Sequence, residues 1–468
     1  MNRTVNVAMM FFGPPAVNGT RRDVWPRNPI LDGFNKLSAN DLQVFRSHLL
    51  WEERMELPAA YGGGPGLVMQ DGSVLRINLT WFHAGSIDAV SNVDEYAPAT
   101  ANSWVAALVR RLADPAGPYG RQHFVIPPQS ANAAVTVLAS LACEASQSCI
   151  TVTPAAPNAG MFICQDPRPM DCKNRSRSTG TRRFEYTVSP SNSGDYLGSG
   201  SLAFAVNQGI KRVFIVAEPV ASAVVTQLRS TAAQLGLMLV GVQVVESFGS
   251  SWAALNTSEA EVTRWIRDAQ VGMVLFVSAF QTPTVTQLIE YWRQIDYLPA
   301  AVAFLAGRAA SLPQDLRSYF LIESYWIPQL TGALFRAVSS EGNFETFPAN
   351  ATHDCPAVFA DAYGVRFGMQ PPLASFYNGA RAFHTLTIVQ KLLEFAKTAD
   401  PEALRYAATR IAAPGVYRSV QFDQWGRYVC ADGSFGTRVG TALSLTNRCS
   451  GGFAWVVRVN WWFPFAEL

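Results

Sequence analysis

Apolar positions along the chain fall into two rhythms that take turns. Short runs such as VNVAMMFF (5–12), HFVIP (123–127), CITVTP (149–154), KRVFIVAEP (211–219) and VGMVLFVS (271–278) are apolar almost throughout. Between them lie longer stretches with helical spacing, among them ANDLQVFRSHLLWEERM (39–55), ANAAVTVLASLACEA (131–145), SAVVTQLRSTAAQLG (222–236) and TPTVTQLIEYWRQI (282–295). Strands covered on both faces read as unbroken apolar runs, so this alternation predicts parallel sheets with helices on either side.

The alternation runs once up to residue 154 and restarts near 184. The break, CQDPRPMDCKNRSRSTGTRR (164–183), has no period and is rich in turn formers, so it reads as an exposed insertion. Two successive βα series predict an α/β chain of two Rossmann-like lobes, not a repeat array. After 355 the pattern is mostly helical (356–368, 373–399, 400–412), followed by a strand and turn over 419–430. A return of that segment onto the first lobe would make both lobes discontinuous.

Composition narrows the function classes. The chain has 468 residues, 49% of them hydrophobic and only 15% charged, which suits a large packed core. Its net charge is +2 with no basic block, so nucleic acid is not an expected partner. The late run FAWVVRVNWWFPF (453–465) is interrupted by Arg458, Asn460 and Pro464 and suits a strand or a partner surface, not a bilayer span. No secretory leader is evident at the start, which leaves either a cytosolic protein or a piece of a longer one.

Seven cysteines and six N-x-S/T sequons favour an extracytoplasmic chain. The cysteines match no zinc spacing. Cys143, Cys149, Cys164, Cys172, Cys430 and Cys449 are the disulfide candidates, with Cys355 as the odd one. Cys164 and Cys172 bracket a Pro-rich loop, and Cys430 and Cys449 a Gly-rich segment. Asn18, Asn78, Asn174, Asn256 and Asn350 are the glycosylation candidates, and Asn2 starts a sixth sequon. There is no G-x-S-x-G elbow, no H-E-x-x-H and no phosphate loop, and the five histidines show no partner spacing for a metal. Neither an enzyme nor a cofactor is expected.

Several stretches together resemble the type I periplasmic-binding-protein superfamily, in its amino-acid-binding and receptor ligand-binding branch. FADAYGVRFGMQPPLASFYNGARAFHTL (359–386) is similar to its F-x-x-x-Y-x-x-x-x-G-x-x-P turn and long helix. ADPEALRYAATRI (399–411) with VYRSVQFDQWGRY (416–428) resembles its D-P-E-x-(L/V)-R helix and F-D-x-x-G turn. GGGPGLVMQDGSVLRINLTW (62–81) looks like its Gly-rich β-hairpin, and 209–219 with 228–240 like the opening of its second lobe. The resemblance implies lobes joined by three crossovers near Pro190, Trp326 and Gln424. Lobe one would then comprise 5–189, with its insertion at 164–183, and 327–424. Lobe two would comprise 190–326 and a return over 425–468.

In that family a small ligand sits beyond the carboxyl ends of the strands, between the lobes. The family's G-P-x-x-S turn corresponds to IPPQS (126–130), which retains Ser130 and loses the leading Gly. Ser130 and Ala131 would present backbone N–H groups to a carboxylate, although Ser130 also suits a simple helix cap. Ala155 and Ala156 stand where the family has a hydroxyl, and Phe280 where it has an aromatic wall. Glu218 matches only loosely, and Arg308 replaces an acid that would hold an ammonium group. An arginine facing the cleft would favour an anion over a standard zwitterionic amino acid, whereas the default for an arginine is an exposed, solvated side chain.

Three functions follow from the resemblance. The first is the extracellular domain of a membrane receptor that signals by lobe closure, attached through a region beyond Leu468. A homodimer through the first lobe would suit it, with ANSWVAALVRRLA (101–113) as the face, although that helix equally suits burial against its own sheet. The alternative is a free solute-binding protein, periplasmic or secreted, that delivers a small ligand to an ABC transporter. An enzyme of α/β fold is the distant third.

Overall fold

The computed structural model describes residues 3–11, 39–84, 104–128, 133–154, 184–189, 198–217, 222–244, 258–277, 283–305, 321–323, 356–369, 373–413, 420–422, 438–439, 442–447 and 452–456. The contacts divide the chain into two compact units: Met1–Ser191 with Glu345–Val429, and Asn192–Phe344 with Cys430–Leu468. Each unit is thus built from two separate stretches of chain, and the boundaries fall at 191, 344 and 429.

Unit one is a six-stranded sheet in the order β2-β3-β1-β4-β5-β6. Its strands are β1 (Arg3–Phe11), β2 (Gly66–Val68), β3 (Val74–His83), β4 (Phe124–Ile126), β5 (Ile150–Val152) and β6 (Thr187–Val188). All neighbours are parallel except β2, which forms an antiparallel hairpin with β3. The Gly-rich turn before β2 wraps the Arg76 guanidinium, which donates to the carbonyls of Gly63 (2.8 Å) and Tyr61 (2.7 Å). Gly62 has φ +83°, and a Cβ there would lie 2.5 Å from Arg76 Nη2, so glycine is required.

The helices of unit one are α1 (Ala39–Arg54), α2 (Trp104–Ala113), α3 (Ala133–Ser146) and, from the later stretch, α8 (Pro356–Phe367), α9 (Leu373–Ala396) and α10 (Pro401–Ala408). α9 lies against α1: a Cβ on Gly379 would come 2.7 Å from Ser47 Oγ, and Arg54 stacks 5.6 Å over the Phe383 ring. The DPE signature starts α10 as its residue types dictate: Asp400 accepts from the Ala403 N–H at 3.0 Å and Pro401 takes the first turn. Glu402 then accepts from the Tyr186 hydroxyl, and Arg405 bonds Glu185 and Glu402, which ties α10 to the start of β6.

In unit two the sheet order is β14-β15-β16-β11-β10-β9-β7-β8. Its parallel part comprises β7 (Arg212–Ala217), β8 (Met238–Val244), β9 (Met273–Val277), β10 (Ala301–Leu305) and β11 (Leu321–Glu323). β14 (Arg438–Val439), β15 (Ala442–Asn447) and β16 (Gly452–Val456) extend it antiparallel. Alternation within the apolar strands splits the core in two. Val213, Ile215, Met273, Leu275, Ala301 and Ala303 pack under α4 (Ser199–Asn207) and α5 (Ser222–Gln234). Phe214, Val216, Val274, Phe276 and Val302 pack under α6 (Glu259–Asp268) and α7 (Pro283–Gln294). The strands are apolar throughout because both faces are covered. A short pair, β12 (Ala412–Ala413) with β13 (Val420–Gln421), completes the described strands.

Two sequence expectations change here. The apolar side of α2 (Val105, Ala106, Leu108, Val109, Leu112 and Ala113) belongs to the core of its own unit, so it offers no apolar face for a dimer. Asn78 sits mid-strand in β3, where its amide donates to Asn6 Oδ1 of β1 at 3.3 Å. That is a cross-strand pair, not the loop position a glycan needs.

Cys143 and Cys149 are joined by a disulfide, both fully buried, linking the last turn of α3 to the start of β5. The other cysteine candidates (Cys164, Cys172, Cys430, Cys449), the insertion 164–183 and the sequons at Asn18, Asn174, Asn256 and Asn350 lie outside the described residues. A loop this short constrains the unfolded chain by about 2 kcal/mol on the chain-entropy model. Replacing both Cys143 and Cys149 with alanine should lower the stability of unit one by that amount, read as a shift in the urea midpoint.

Candidate functional site

In a parallel sheet the side chains available to a ligand stand beyond the carboxyl ends of the strands, where helix N-termini converge. In unit one that rim is formed by Phe11 of β1, His83 of β3, Pro127 and Pro128 after β4, Thr153 and Pro154 after β5, and Ser189 after β6. Ala84 N–H donates to the Phe11 carbonyl at 2.7 Å, closing the ends of β1 and β3 together. The first residue of α2, Trp104, lies against the His83 ring at 5.9 Å.

Beneath Phe11 is His48 of α1, its ring edge-on at 5.7 Å and its Nδ1 accepting from Trp81 Nε1 at 3.3 Å. Burial holds His48 far below the usual histidine range, at about 3. His384 of α9 is held at about 4 by the same cause. At the opposite, amino end of the strands, His123 Nδ1 accepts from the Asn6 N–H at 3.0 Å, and burial followed by the nearby Arg121 charge lowers it to about 4. These three are neutral structural imidazoles at physiological pH, not acid–base groups poised near 7.

At the ends of β5 and β6 the rim is polar. Thr153 donates through Oγ1 to Thr136 Oγ1 of α3 at 3.3 Å, and Ser189 Oγ donates to the Thr153 carbonyl at 3.2 Å. All three are fully buried. Sequence reasoning passed over these hydroxyls and the His83–Trp104 pair. The available signal was polar or aromatic residues placed at strand ends and first helical turns.

The residues assigned from the family resemblance each follow the carboxyl end of a strand in chain order. Ser130 and Ala131 lie between β4 and α3, and Ala155 and Ala156 follow β5. Glu218 follows β7, Phe280 follows β9 and Arg308 follows β10. All seven lie outside the described residues, so their placement rests on chain order alone. Among the described residues there is no group of three His, Cys, Asp or Glu side chains that could hold a metal. No helix among them is long and apolar enough to cross a membrane.

No family model and no curated protein matches the chain. Solved structures do match it. An ABC transporter substrate-binding protein from Desulfitobacterium hafniense aligns with TM-score 0.56 at 13% identity, over 97% of this chain and 100% of that one. A leucine-binding protein from Thermotoga maritima aligns with TM-score 0.52 at 12% identity, over 96% and 97%.

The chain has the type I periplasmic-binding-protein fold.

A third structure of this fold, an ABC transporter solute-binding protein from R. palustris in complex with benzoate, aligns with TM-score 0.51 at 9% identity, over 97% and 95%. Identities this low establish the fold and leave the ligand to be argued from residues.

Proposed function

We propose that the chain is a solute-binding protein of the type I fold that takes a small carboxylate-bearing ligand and delivers it to an ABC transporter. The observation that carries this is end-to-end structural likeness to free solute-binding proteins, over 95% or more of each chain compared. It favours the delivery role over the receptor ectodomain suggested by the sequons and cysteines, and the periplasm over a cell-surface receptor. It also favours binding over turnover. The buried Cys143–Cys149 bond is in keeping with an oxidising compartment.

A carboxylate fits the residue types beyond the strands. Ser130 and the first N–H groups of α3 would hold it, and Arg308 would add a charge-assisted bond in place of the acid that grips an amino-acid ammonium. The reading therefore favours a carboxylate without an α-amino group, such as a benzoate-type acid, over leucine. Calorimetry with benzoate and leucine on the same preparation tests it. Benzoate should bind more tightly, and Arg308→Ala should weaken that binding about 10- to 100-fold. Tight leucine binding would overturn the ligand class. Failure of every small carboxylate to bind would overturn the delivery role.

A further inference from the structure

Between α3 and the β5–β6 edge, the core of unit one carries a cluster of hydroxyl groups. Six hydroxyl side chains gather there, all fully buried: Thr136 and Ser140 of α3, Thr151 and Thr153 at β5, and Thr187 and Ser189 at β6. The arrangement follows from two periodicities. Thr136 and Ser140 are four apart and share a helix face. Thr151 and Thr153 are two apart and share a strand face, and Thr187 stands in register beside Thr151. α3 runs back down the sheet from the carboxyl end, so Thr136 meets Thr153 at the top, at 3.3 Å. By the same spacing Ser140, one turn lower on α3, falls at the level of the Thr151–Thr187 pair. One turn lower again, Glu144 accepts from the backbone N–H groups of Glu185 (2.9 Å) and Tyr186 (3.2 Å), which confirms the alignment.

At the middle level two hydroxyls are unsatisfied. Ser140 Oγ and Thr151 Oγ1 are each fully buried and have no hydrogen-bond partner. Other buried helical hydroxyls in this chain turn back on their own helix: Ser47 to the Gln43 carbonyl (2.8 Å), Thr385 to Arg381 (2.8 Å) and Thr387 to Phe383 (3.0 Å). Ser140 does not do so, and it makes no hydrogen bond to Thr151 either. Leaving two such groups dry would cost about 1–3 kcal/mol each, whereas a buried water typically makes about three bonds in a site of this kind.

We infer that an ordered water molecule is bound inside unit one, bridging Ser140 Oγ of α3 to Thr151 Oγ1 of β5, with the Thr187 hydroxyl beside it. The water replaces apolar interlocking at the edge of the sheet and fixes the height of α3 against β5. The site is independent of the ligand proposed above.

A high-resolution crystal structure of the whole chain tests it directly. The expected result is a water within hydrogen-bond distance of both oxygens. A dry contact, with Ser140 turned onto the Thr136 carbonyl, would overturn the inference. A thermodynamic cycle gives a second readout. Ser140→Ala and Thr151→Val should each raise the unfolding equilibrium constant about tenfold, and the double variant no further than either alone, because both remove one shared bridge. Additive or neutral single effects would count against it.

Discussion

Trp292→Ala should destabilise unit two by about 4 kcal/mol, more than any other single change considered for that unit. Trp292 is fully buried in α7, one of the largest such side chains in the chain. Its ring packs 6.4 Å from Phe276 of β9 and meets Tyr297 edge-on at 5.9 Å. Its Nε1 donates to Thr263 Oγ1 of α6 at 2.8 Å, so one side chain holds α6, α7 and the sheet together. Truncation empties that volume and also strips the Thr263 hydroxyl of its donor. Trp292→Phe separates the two losses: it keeps most of the packing and should cost about 1 kcal/mol for the hydrogen bond, plus a share of the lost volume. Hydrogen exchange of the β7 and β9 amides would report both. A Trp292→Ala chain with unchanged protection there would refute the assignment.

Acid should unfold unit one before unit two. All five histidines (His48, His83, His123, His353 and His384) fall in the stretches that form unit one, and unit two has none. His48, His123 and His384 are held neutral, at about 3, 4 and 4, against an ordinary value of 6.5. Above about 6.5 the unfolded chain is neutral at these positions too, and their contribution to stability is complete. As pH falls from 6.5 towards 4, the unfolded chain takes up protons that the folded one refuses, and stability is lost. At pH 5 each fully buried histidine accounts for roughly 2 kcal/mol, so His48 and His384 together remove about 4 kcal/mol. Exchange at pH 7 and pH 5 should show protection falling in β1, β3 and α9 while β7, β9 and β10 hold. His48→Gln keeps an acceptor for Trp81 Nε1 and should flatten the dependence. Equal loss in both units would refute the mechanism.

The α/β architecture was legible because parallel strands covered on both sides leave a plain mark. Within VGMVLFVS, Met273–Val277 form β9 with every strand residue buried, and within KRVFIVAEP, Arg212–Ala217 form β7. The hairpin was legible from its glycines, and α10 from DPE. The antiparallel extension of unit two was harder to see. FAWVVRVNWWFPF suits a strand or a partner surface equally, and only its first four residues lie in β16, while ALSLTN (442–447) carries too few apolar positions to stand out. Buried hydroxyls such as Thr136, Ser140 and Thr153 left no mark, because their alignment needs the third dimension. The proposed ligand residues were reachable only through family resemblance. They fall between the periodic runs of the sequence, where no apolar rhythm constrains the choice of side chain.

The seating of α1 against α9 carries a consequence for biosynthesis. α1 ends at residue 54 and α9 begins at 373, so its partner is made more than 300 residues later. At ordinary ribosomal speeds that interval is roughly 15–65 s. Throughout it the first stretch of unit one holds Ser47 and Arg54 of α1 without the helix they pack against. The stretch that forms the core strands of unit two is completed meanwhile. The later-encoded half can therefore fold first, and the earlier-encoded half must be kept from aggregating until its last helices arrive.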